Sequence, residues 1–386
     1  MSTAEDFPWV LQFCHGYDAP FLDCARQYAA LFADTPYRVC TVYLTGTPCE
    51  AARLGSASDE VIFLGYDSKA VRGLKLAAMR DLKRIAAQRD FRFCLAHRFK
   101  PIHVALWATN LPVIGIHHAF GDYRRVARRL LVRLFRRRLA LLGVSRAVRD
   151  DLRASLPFLA PERVGFLYNR LDVSAARKDL LSRMAARDAL GLPSAAWIVG
   201  NVGRLHPDKD QDTLLRGFAL ALPRLPAGSL LVLMGSGRLR EKLAALAASL
   251  GIAASVRFLG QVENGRRYFR AFDLFALTSD HEPFGMVLLE AMAAEVPVLC
   301  TDCGGGREVA GADDLFPLRD SAALAEKLTA RAGENAETRL VRTHDNLARL
   351  QACFSETAAR QAFWQLPMTQ DFRVQRIEDR RQKTED

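Results

Sequence analysis

The chain has 386 residues, half of them apolar and a quarter charged. This composition is ordinary for a globular enzyme, and the length exceeds what one hydrophobic core usually fills, so we expect two domains. The sequence contains no apolar run of roughly 18 residues and no basic leader before an apolar segment, so we expect a protein that is neither secreted nor membrane-spanning. The formal net charge of +11 comes from residues 1–190, and this half should therefore bind an anionic partner.

Short apolar runs alternate with helical stretches in the first half of the chain. A turn at Gly16 follows the first run. The chain also has eight scattered cysteines, including the pair Cys300 and Cys303, and these lack the spacing and the histidines of a metal site. The alternation predicts a mostly parallel sheet in a Rossmann-like domain. The predicted strands of this domain are 9–14, 37–44, 60–64, 91–96, 112–116, 139–144 and 164–167.

Two histidines follow the buried strand predicted at 112–116. His117 and His118 lie at its carboxyl end, which is where ligands bind in open α/β sheets. Either of the two could contact a ligand at this edge. The alternative is a hydrogen-bonded histidine at a strand end, with a structural role only.

A basic amphipathic helix is predicted over residues 121–139. Arginines recur every four residues, and aliphatic side chains occupy the opposing positions. Such a helix lies most simply on an anionic bilayer, with its arginines at the headgroup phosphates. The alternative is a domain-packing helix with a solvated basic face. The arginine stripe consists of Arg125, Arg129, Arg133 and Arg137, and the predicted apolar face consists of Val126, Leu130, Leu134, Ala127, Leu131 and Phe135.

The second half repeats the alternation and predicts a second Rossmann-like domain after a charged, alanine-rich connection at 174–193. The loop after its first strand carries Arg204 and Lys209, which can both contact a diphosphate. Gly235 lies in a tight glycine turn after the second strand. The predicted strands are 197–202, 230–234, 256–259, 274–277, 296–301 and 315–318.

The stretch from His281 to Gly311 carries the most specific pattern. Glu282 precedes a Pro-Phe-Gly turn, and Glu290 follows on a predicted helix, with seven residues between the two glutamates. If the helix begins near Gly285 or Met286, both carboxylates can reach one ligand, and the amides at the helix start suit a phosphate. Carboxylates for hydroxyls and amides for phosphate are what a nucleotide sugar needs. The alternative is an amphipathic helix with two surface glutamates.

The order Glu-Pro-Phe-Gly, Glu-Ala-Met-Ala and, from Gly304, Gly-Gly-x-x-Glu resembles the donor-site signature of the retaining family 4 glycosyltransferases. The resemblance covers nearly the whole chain and is strongest over 197–311. It implies the GT-B fold, an α/β architecture in which two Rossmann-like doubly wound domains face each other across a cleft. The implied division is an acceptor domain at 1–173, a nucleotide-sugar domain at 174–354, a helix at 355–370 that crosses back to the first domain, and a charged tail at 371–386.

The resemblance also implies roles for individual residues, without a bound metal or other cofactor. A nucleotide-diphosphate sugar, with UDP as the expected carrier, would bind the second domain. Front-face transfer with retention would follow, so no general base is required. The implied donor contacts are Glu290 at the ribose, Glu282 with the amides of Phe284, Gly285 and Met286 at the sugar, Arg204 and Lys209 at the diphosphate, and Gly203, Gly235 and Leu259 along the nucleotide. The implied cleft contacts are His118 at the transferred sugar, with His117 as second candidate, and Gly16, where the family usually has two glycines.

The basic first half, the basic helix and the absence of a membrane span together suggest an anionic glycolipid acceptor. We expect a cytoplasmic enzyme, peripheral at the inner face of a bacterial membrane, that builds lipopolysaccharide core or a lipid-linked saccharide. One alternative is a nucleotide-sugar epimerase of the same fold, although its acid/base motif is not recognisable. Another is a nucleic-acid-binding protein, but the arginine stripe is interleaved with aliphatic rather than stacking aromatic residues. We therefore expect no nucleic-acid partner.

Overall fold

A computed structural model describes residues 7–18, 20–67 and 69–372. It divides into two compact units, of which the first ends at Asn169 and resumes at Glu356, and the second runs from Arg170 to Ser355. Most of the predicted tail at 371–386 lies outside the described residues. Its first two residues, Asp371 and Phe372, still belong to a helical turn, so the tail was predicted to begin too early.

Unit 1 is built on a seven-stranded parallel sheet of order β3-β2-β1-β4-β5-β6-β7. The strand order reverses between β1 and β4, which makes their carboxyl ends the topological switch point. The strands are β1 Trp9–Cys14, β2 Arg38–Thr45, β3 Glu60–Tyr66, β4 Phe91–His97, β5 Val113–His117, β6 Leu139–Gly143 and β7 Val164–Phe166. The helices are α1 Phe21–Ala29, α2 Glu50–Gly55, α3 Leu76–Ala86, α4 Phe99–Ala108, α5 Val126–Phe135 and α6 Arg146–Ser155.

Unit 2 has a six-stranded parallel sheet of order β10-β9-β8-β11-β12-β13, whose switch point lies between β8 and β11. Its core fills the space between this sheet and helices such as those at Gln211–Ala221 and Ser321–Ala332, with Leu214, Phe218 and Leu324 fully buried. The strands are β8 Ile198–Val202, β9 Leu230–Met234, β10 Val256–Gly260, β11 Leu274–Leu277, β12 Val298–Thr301 and β13 Leu315–Phe316. The helices are α7 Val173–Lys178, α8 Arg183–Ala189, α9 Gln211–Ala221, α10 Arg240–Ser249, α11 Met286–Ala293, α12 Gly306–Val309, α13 Ser321–Ala332 and α14 Ala336–Phe354.

The last helix, α15 Glu356–Gln365, packs within unit 1. Phe363 is fully buried in the core of that unit, and its ring centroid lies 5.8 Å from that of Phe32. Trp364 Nε1 donates a hydrogen bond to the carbonyl of Leu31 at 3.3 Å. Apolar burial of these aromatic rings is what attaches the C-terminal segment to unit 1.

The segment 174–193, predicted as a connection, is instead an integral part of unit 2. It contains α7 and α8, and Arg187 on α8 is almost fully buried. Its guanidinium donates to the carbonyl oxygens of Ser194 at 2.6 Å and Ala271 at 2.9 Å, and to Asp273 Oδ2 at 2.8 Å. A buried arginine with this many acceptors fixes the segment at the amino ends of the central strands β8 and β11.

We expect Arg187→Leu to destabilise the protein by about 3–5 kcal/mol, because Asp273 would lose a buried partner and several carbonyl groups would lose a donor. Arg183→Leu is the matched control: it contacts the same Asp273 but its side chain is 45% exposed, so its loss should cost below about 1 kcal/mol. Urea unfolding of both variants measures the difference. Equal losses would contradict the structural role assigned to Arg187.

The predicted basic helix is shorter than expected. Helix α5 covers Val126–Phe135, whereas 121–125 and 136–138 form turns, so Arg125 and Arg137 flank the helix rather than lie in it. None of the helices in the described ranges has both the length and the apolarity that a bilayer span requires.

Candidate active site

The switch point of unit 2 brings two loops together. The loop after β8 carries Arg204 and Lys209, and the loop after β11 carries Glu282. Strands β8 and β11 are hydrogen-bonded neighbours, with Phe275 opposite Gly200, so their carboxyl ends lie side by side. Residues 73 positions apart in the sequence are therefore in contact.

The centre of the site is an ion pair between Lys209 and Glu282. Lys209 Nζ lies 2.7 Å from Glu282 Oε2, and Ser279 Oγ donates to the same oxygen at 3.0 Å. The Glu282 side chain is 9% exposed and that of Lys209 is 20% exposed, so the pair is largely shielded from water. The two loops are further joined by Thr278 Oγ1, which donates to the carbonyl of Lys209 at 2.9 Å. Together these contacts fix one carboxylate and one ammonium in adjacent positions.

Helix α11 begins at Met286, as predicted, after Gly285 in a left-handed conformation (φ +99°). Glu282 lies in the loop before the helix, and Glu290 lies on its second turn. The Phe284 ring is buried against Phe354, so the ring is not accessible to a ligand. Gly305 N donates to the carbonyl of Glu282 at 2.7 Å. The turn before α11 is thus held by the glycine cluster that follows β12.

The glycines of the neighbouring loops permit close backbone contacts. Gly203 N donates to the carbonyl of Met234 at 2.9 Å, and Gly235 N donates to that of Gly260 at 2.7 Å. A Cβ atom on Gly235 would lie 1.9 Å from the carbonyl oxygen of Gly203. Leu259 sits at an irregularity where β10 gains one residue relative to β9. The loops after β8, β9 and β10 therefore form one connected backbone surface.

Arg204 does not join the Lys209–Glu282 pair. Its side chain is 70% exposed and its nearest carboxylate is Asp208, at 3.3 Å. Two residues that the sequence analysis missed, Thr278 and Ser279, hold the pair in place. Both residues directly follow a buried strand, at the carboxyl edge of the sheet where Glu282 was expected. This position in the sequence could have identified them as site residues.

The carboxyl ends of β4 and β5 in unit 1 place His118 beside His97. His118 Nε2 lies 3.3 Å from His97 Nδ1, and His118 Nδ1 lies 3.9 Å from Cys24 Sγ. Burial, with the nearby His117 and Arg98, lowers the pKa of His118 to about 3. The imidazole is therefore neutral at pH 7 and can accept or donate one hydrogen bond without carrying charge.

The ring of His117 is fully buried and both nitrogens have partners. Nδ1 lies 2.7 Å from Asp122 Oδ2, and Nε2 lies 3.2 Å from the hydroxyl of Tyr123. This is the environment of a structural histidine. His118 is partly exposed, whereas His117 is not, so we retain only His118 as a contact for a ligand.

Gly16 follows β1, where a Cβ atom would lie 2.9 Å from Thr45 Oγ1, so the glycine allows a close approach to β2. Arg98, which the sequence analysis missed, follows β4 with a strained backbone (φ +71°). Burial, together with Arg98 and Lys100, lowers the pKa of His15 to about 4. The switch point of unit 1 thus combines neutral histidines with the exposed cation of Arg98.

The outward face of α5 differs from the prediction. Of the predicted apolar face, Val126, Leu130 and Leu134 are 59–65% exposed, whereas Leu131 and the unpredicted Val132 are buried. Arg129 and Arg133 are exposed on the same outward side of the helix. A row of apolar side chains therefore lies beside a row of arginines, an arrangement typical of helices at a membrane interface.

Comparison with known proteins agrees with this geometry. Residues 182–339 match the family model of the glycosyl transferases group 1. Relatives include a D-inositol 3-phosphate glycosyltransferase of Rhodococcus opacus, 44% identical over 36% of this chain and 34% of that protein. The lipopolysaccharide core biosynthesis glycosyltransferase LpsE of Rhizobium meliloti is 34% identical over 47% of this chain and 52% of that protein. The matches thus span between about a third and a half of the length of these curated relatives.

Solved structures share the fold over nearly the whole chain. A glycosyltransferase from Rickettsia africae superposes with a TM-score of 0.81, at 12% identity, over 96% of this chain and 100% of that one. Anabaena Alr3699/HepE, solved in complex with UDP and glucose, has a TM-score of 0.74 at 19% identity, over 92% and 98% of the two chains. The predicted fold, a GT-B architecture of two Rossmann-like units, is therefore confirmed. The predicted alternatives, an epimerase or a nucleic-acid-binding protein, are not favoured by these relatives. Over residues 182–339, the chain is therefore similar to the glycosyl transferases group 1.

Proposed function

We propose that the protein is a retaining glycosyltransferase that moves a sugar from a UDP-linked donor to a glycolipid or saccharide acceptor in the synthesis of a bacterial lipopolysaccharide or cell-envelope polysaccharide. The observation that carries the proposal is the Lys209–Glu282 pair at the switch point of unit 2, next to the start of α11. The LpsE relative and the UDP complex of the Anabaena protein support the choice of acceptor and donor.

In this proposal Lys209 divides its hydrogen bonds between Glu282 and the donor diphosphate. The ammonium has three donors and uses one of them on Glu282 Oε2, so others remain for phosphate oxygens. Glu282 then accepts from sugar hydroxyls with a carboxylate already oriented by Ser279. Arg204, exposed five residues before Lys209, supplies a second cation once its side chain turns toward the diphosphate.

The proposed reaction needs no general base from the protein. The bond between the anomeric carbon and the diphosphate oxygen breaks, and the acceptor hydroxyl forms its bond to the same face of that carbon. The acceptor proton passes to the departing phosphate oxygen. Lys209 and Arg204 stabilise the negative charge that develops on the diphosphate. Such electrostatic stabilisation of the transition state is usually the largest single contribution to catalysis. Glu290 orients the nucleoside by accepting from the ribose hydroxyls.

The acceptor is proposed to bind unit 1, whose sequence carries the positive charge of the protein. The exposed apolar row of α5, with Arg129 and Arg133 beside it, supports peripheral binding to an anionic membrane. A glycolipid acceptor at the inner face of the cytoplasmic membrane would then be presented to the enzyme at the surface it binds.

We expect one nucleotide sugar from a panel of UDP-, GDP- and ADP-sugars to bind, with EDTA present throughout, and Glu290→Gln to bind it at least about 30-fold more weakly. The loss reflects charge-assisted hydrogen bonds to the ribose, worth about 1.5–3 kcal/mol each. Calorimetric titration measures both affinities, and the exposed Glu241→Gln on α10 is the matched control. If no donor binds, the proposed function is wrong. If binding appears only after a divalent metal is restored, the metal-independent mechanism is wrong.

A further inference from the structure

A groove of about 600 Å³ in unit 1 has a composition that the donor chemistry does not explain. It lies between the loop before α3 and the helices α4 and α5, and its volume is in the range of small-ligand pockets, about 300–1,000 Å³. It is lined by Val71, Arg72, Gly73, Lys75, Phe99, Lys100, His103, Trp107, Arg125, Ala127, Arg128, Leu130, Leu131 and Leu134. We call it the amphipathic groove.

One part of the amphipathic groove is strongly basic. Five of its lining residues are Lys or Arg, and within the described residues none of the lining side chains is Asp or Glu. Arg128 has a carboxylate partner in Asp122 at 3.3 Å, whereas Lys75 donates only to the carbonyl of Gly73 in the contacts observed. Burial and the neighbouring Lys100 and Arg128 lower the pKa of Lys75. Cations crowded in this way favour an anionic ligand.

The other part of the groove is apolar and open to solvent. Trp107 is 54% exposed, and its ring packs edge-on against Phe135 with centroids 5.0 Å apart, which fixes its orientation. Leu130 and Leu134 of α5 are also mostly exposed. Soluble proteins rarely present such a group of large apolar side chains without a ligand or partner.

His103 adds a polar group inside the groove. Its Nδ1 atom is buried without a hydrogen-bond partner within the described residues. Burial and the nearby Lys75 lower the pKa of His103 to about 4, so the imidazole is neutral at pH 7. Because His103 lines the groove, its neutral imidazole can donate one hydrogen bond to a ligand oxygen there.

We propose that the amphipathic groove binds a single anionic lipid, with its phosphate between Lys75, Lys100 and His103 and its apolar chain along Trp107, Leu130 and Leu134. The inference deepens the proposed function, on which its biological role rests, because it names a lipid phosphate as the part of the acceptor side that unit 1 recognises. It differs from adsorption of α5 on a bilayer, since it requires one lipid molecule and residues of α4 and of the loop before α3.

The test uses the full-length protein and dihexanoyl phosphatidic acid below its micelle concentration, with binding followed by calorimetry. We expect this lipid to bind at least about tenfold more tightly than dihexanoyl phosphatidylcholine or inorganic phosphate, because it alone has both the charge and the chains. The variant Lys75→Gln/Lys100→Gln should lose at least about tenfold in affinity, because it removes both ammonium groups that would attract the lipid phosphate. The control Arg80→Gln/Lys83→Gln removes two exposed charges of α3 outside the groove and should bind as the wild type does.

Four outcomes overturn the proposal: no binding of phosphatidic acid, equal binding of the neutral lipid, equal binding of free phosphate, or an equal loss in the control variant. Nucleotide-sugar binding and the thermal midpoint are measured on the same samples. A protein that binds a nucleotide sugar but no lipid contradicts only the groove. A protein that binds the lipid but no nucleotide sugar contradicts the proposed function.

Discussion

Lys209→Met is expected to lower kcat/KM for sugar transfer by about 10²–10³-fold. The lysine pairs with Glu282, the carboxylate proposed to bind the sugar, and removal of one preorganised group that stabilises developing negative charge costs about 2.7–4 kcal/mol. The variant should also be less stable, because the carboxylate of Glu282 would lose its ion-pair partner in a site where its side chain is only 9% exposed. Donor saturation kinetics and urea unfolding measure the two effects separately.

The double variant Lys209→Met/Glu282→Gln separates catalysis from stability. Without the buried negative charge, stability should return toward the wild type, while Ser279 Oγ can still hydrogen-bond the amide that replaces the carboxylate. Transfer should not return, because the diphosphate still lacks its cation. Recovery of transfer together with stability would show that the ion pair is only structural. The exposed Lys242→Met on α10 controls for the loss of one positive charge.

Much of the fold was predictable because parallel strands buried on both faces are continuous apolar runs. The predicted bounds of β1, β9 and β11 are those observed, and each other strand of the described residues overlaps its predicted range. The segment 174–193 shows where composition fails. Its charge suggested an exposed connection, but Arg187 is buried by acceptors that lie up to 86 residues away. Such long-range partners leave no local pattern in the sequence.

The basic helix shows a second limit. A helical period shows which residues share a face, but not which face packs on the protein. The apolar positions of α5 are divided in the structure, with Leu131 buried and Leu130 and Leu134 exposed. The same limit hid the amphipathic groove, whose lining residues come from α4, α5 and the loop before α3. These lining residues form no pattern in the sequence, and they define a groove only because the fold brings them together.

The sequence predicts which loops carry the residues of the candidate site, but it does not predict how these loops contact each other. Glu282, Gly285 and Glu290 were expected around a helix start, and α11 begins where that expectation required. The contact between Lys209 and Glu282 depends instead on strand order, since only the adjacency of β8 and β11 brings their loops together. Strand order reflects packing of the whole unit, and the local spacing of residues does not encode it.

Gly235→Ala is expected to destabilise the protein by more than about 3 kcal/mol and to abolish donor binding. The added methyl group would meet the carbonyl oxygen of Gly203 at 1.9 Å, and the backbone at Gly235 has a φ of +143°, which side-chain-bearing residues rarely adopt. Neither obstacle can be relieved by a rotamer change, because the obstructing atoms belong to the backbone. Urea unfolding and donor titration measure the two losses.

Two further glycines distinguish backbone strain, steric overlap and ligand contact. Gly228 also has a positive φ, +75°, but nothing lies within 4 Å of its Cβ position, so Gly228→Ala should cost only about 1–2 kcal/mol and leave donor binding intact. Gly203 has open space around its Cβ position and no strained φ, so Gly203→Ala should fold normally. A donor affinity that falls in Gly203→Ala without a change in stability would therefore report the approach of the diphosphate to this backbone. If Gly235→Ala were no less stable than Gly228→Ala, the loops after β8 and β9 would have to separate without cost, contrary to the hydrogen bonds that join them.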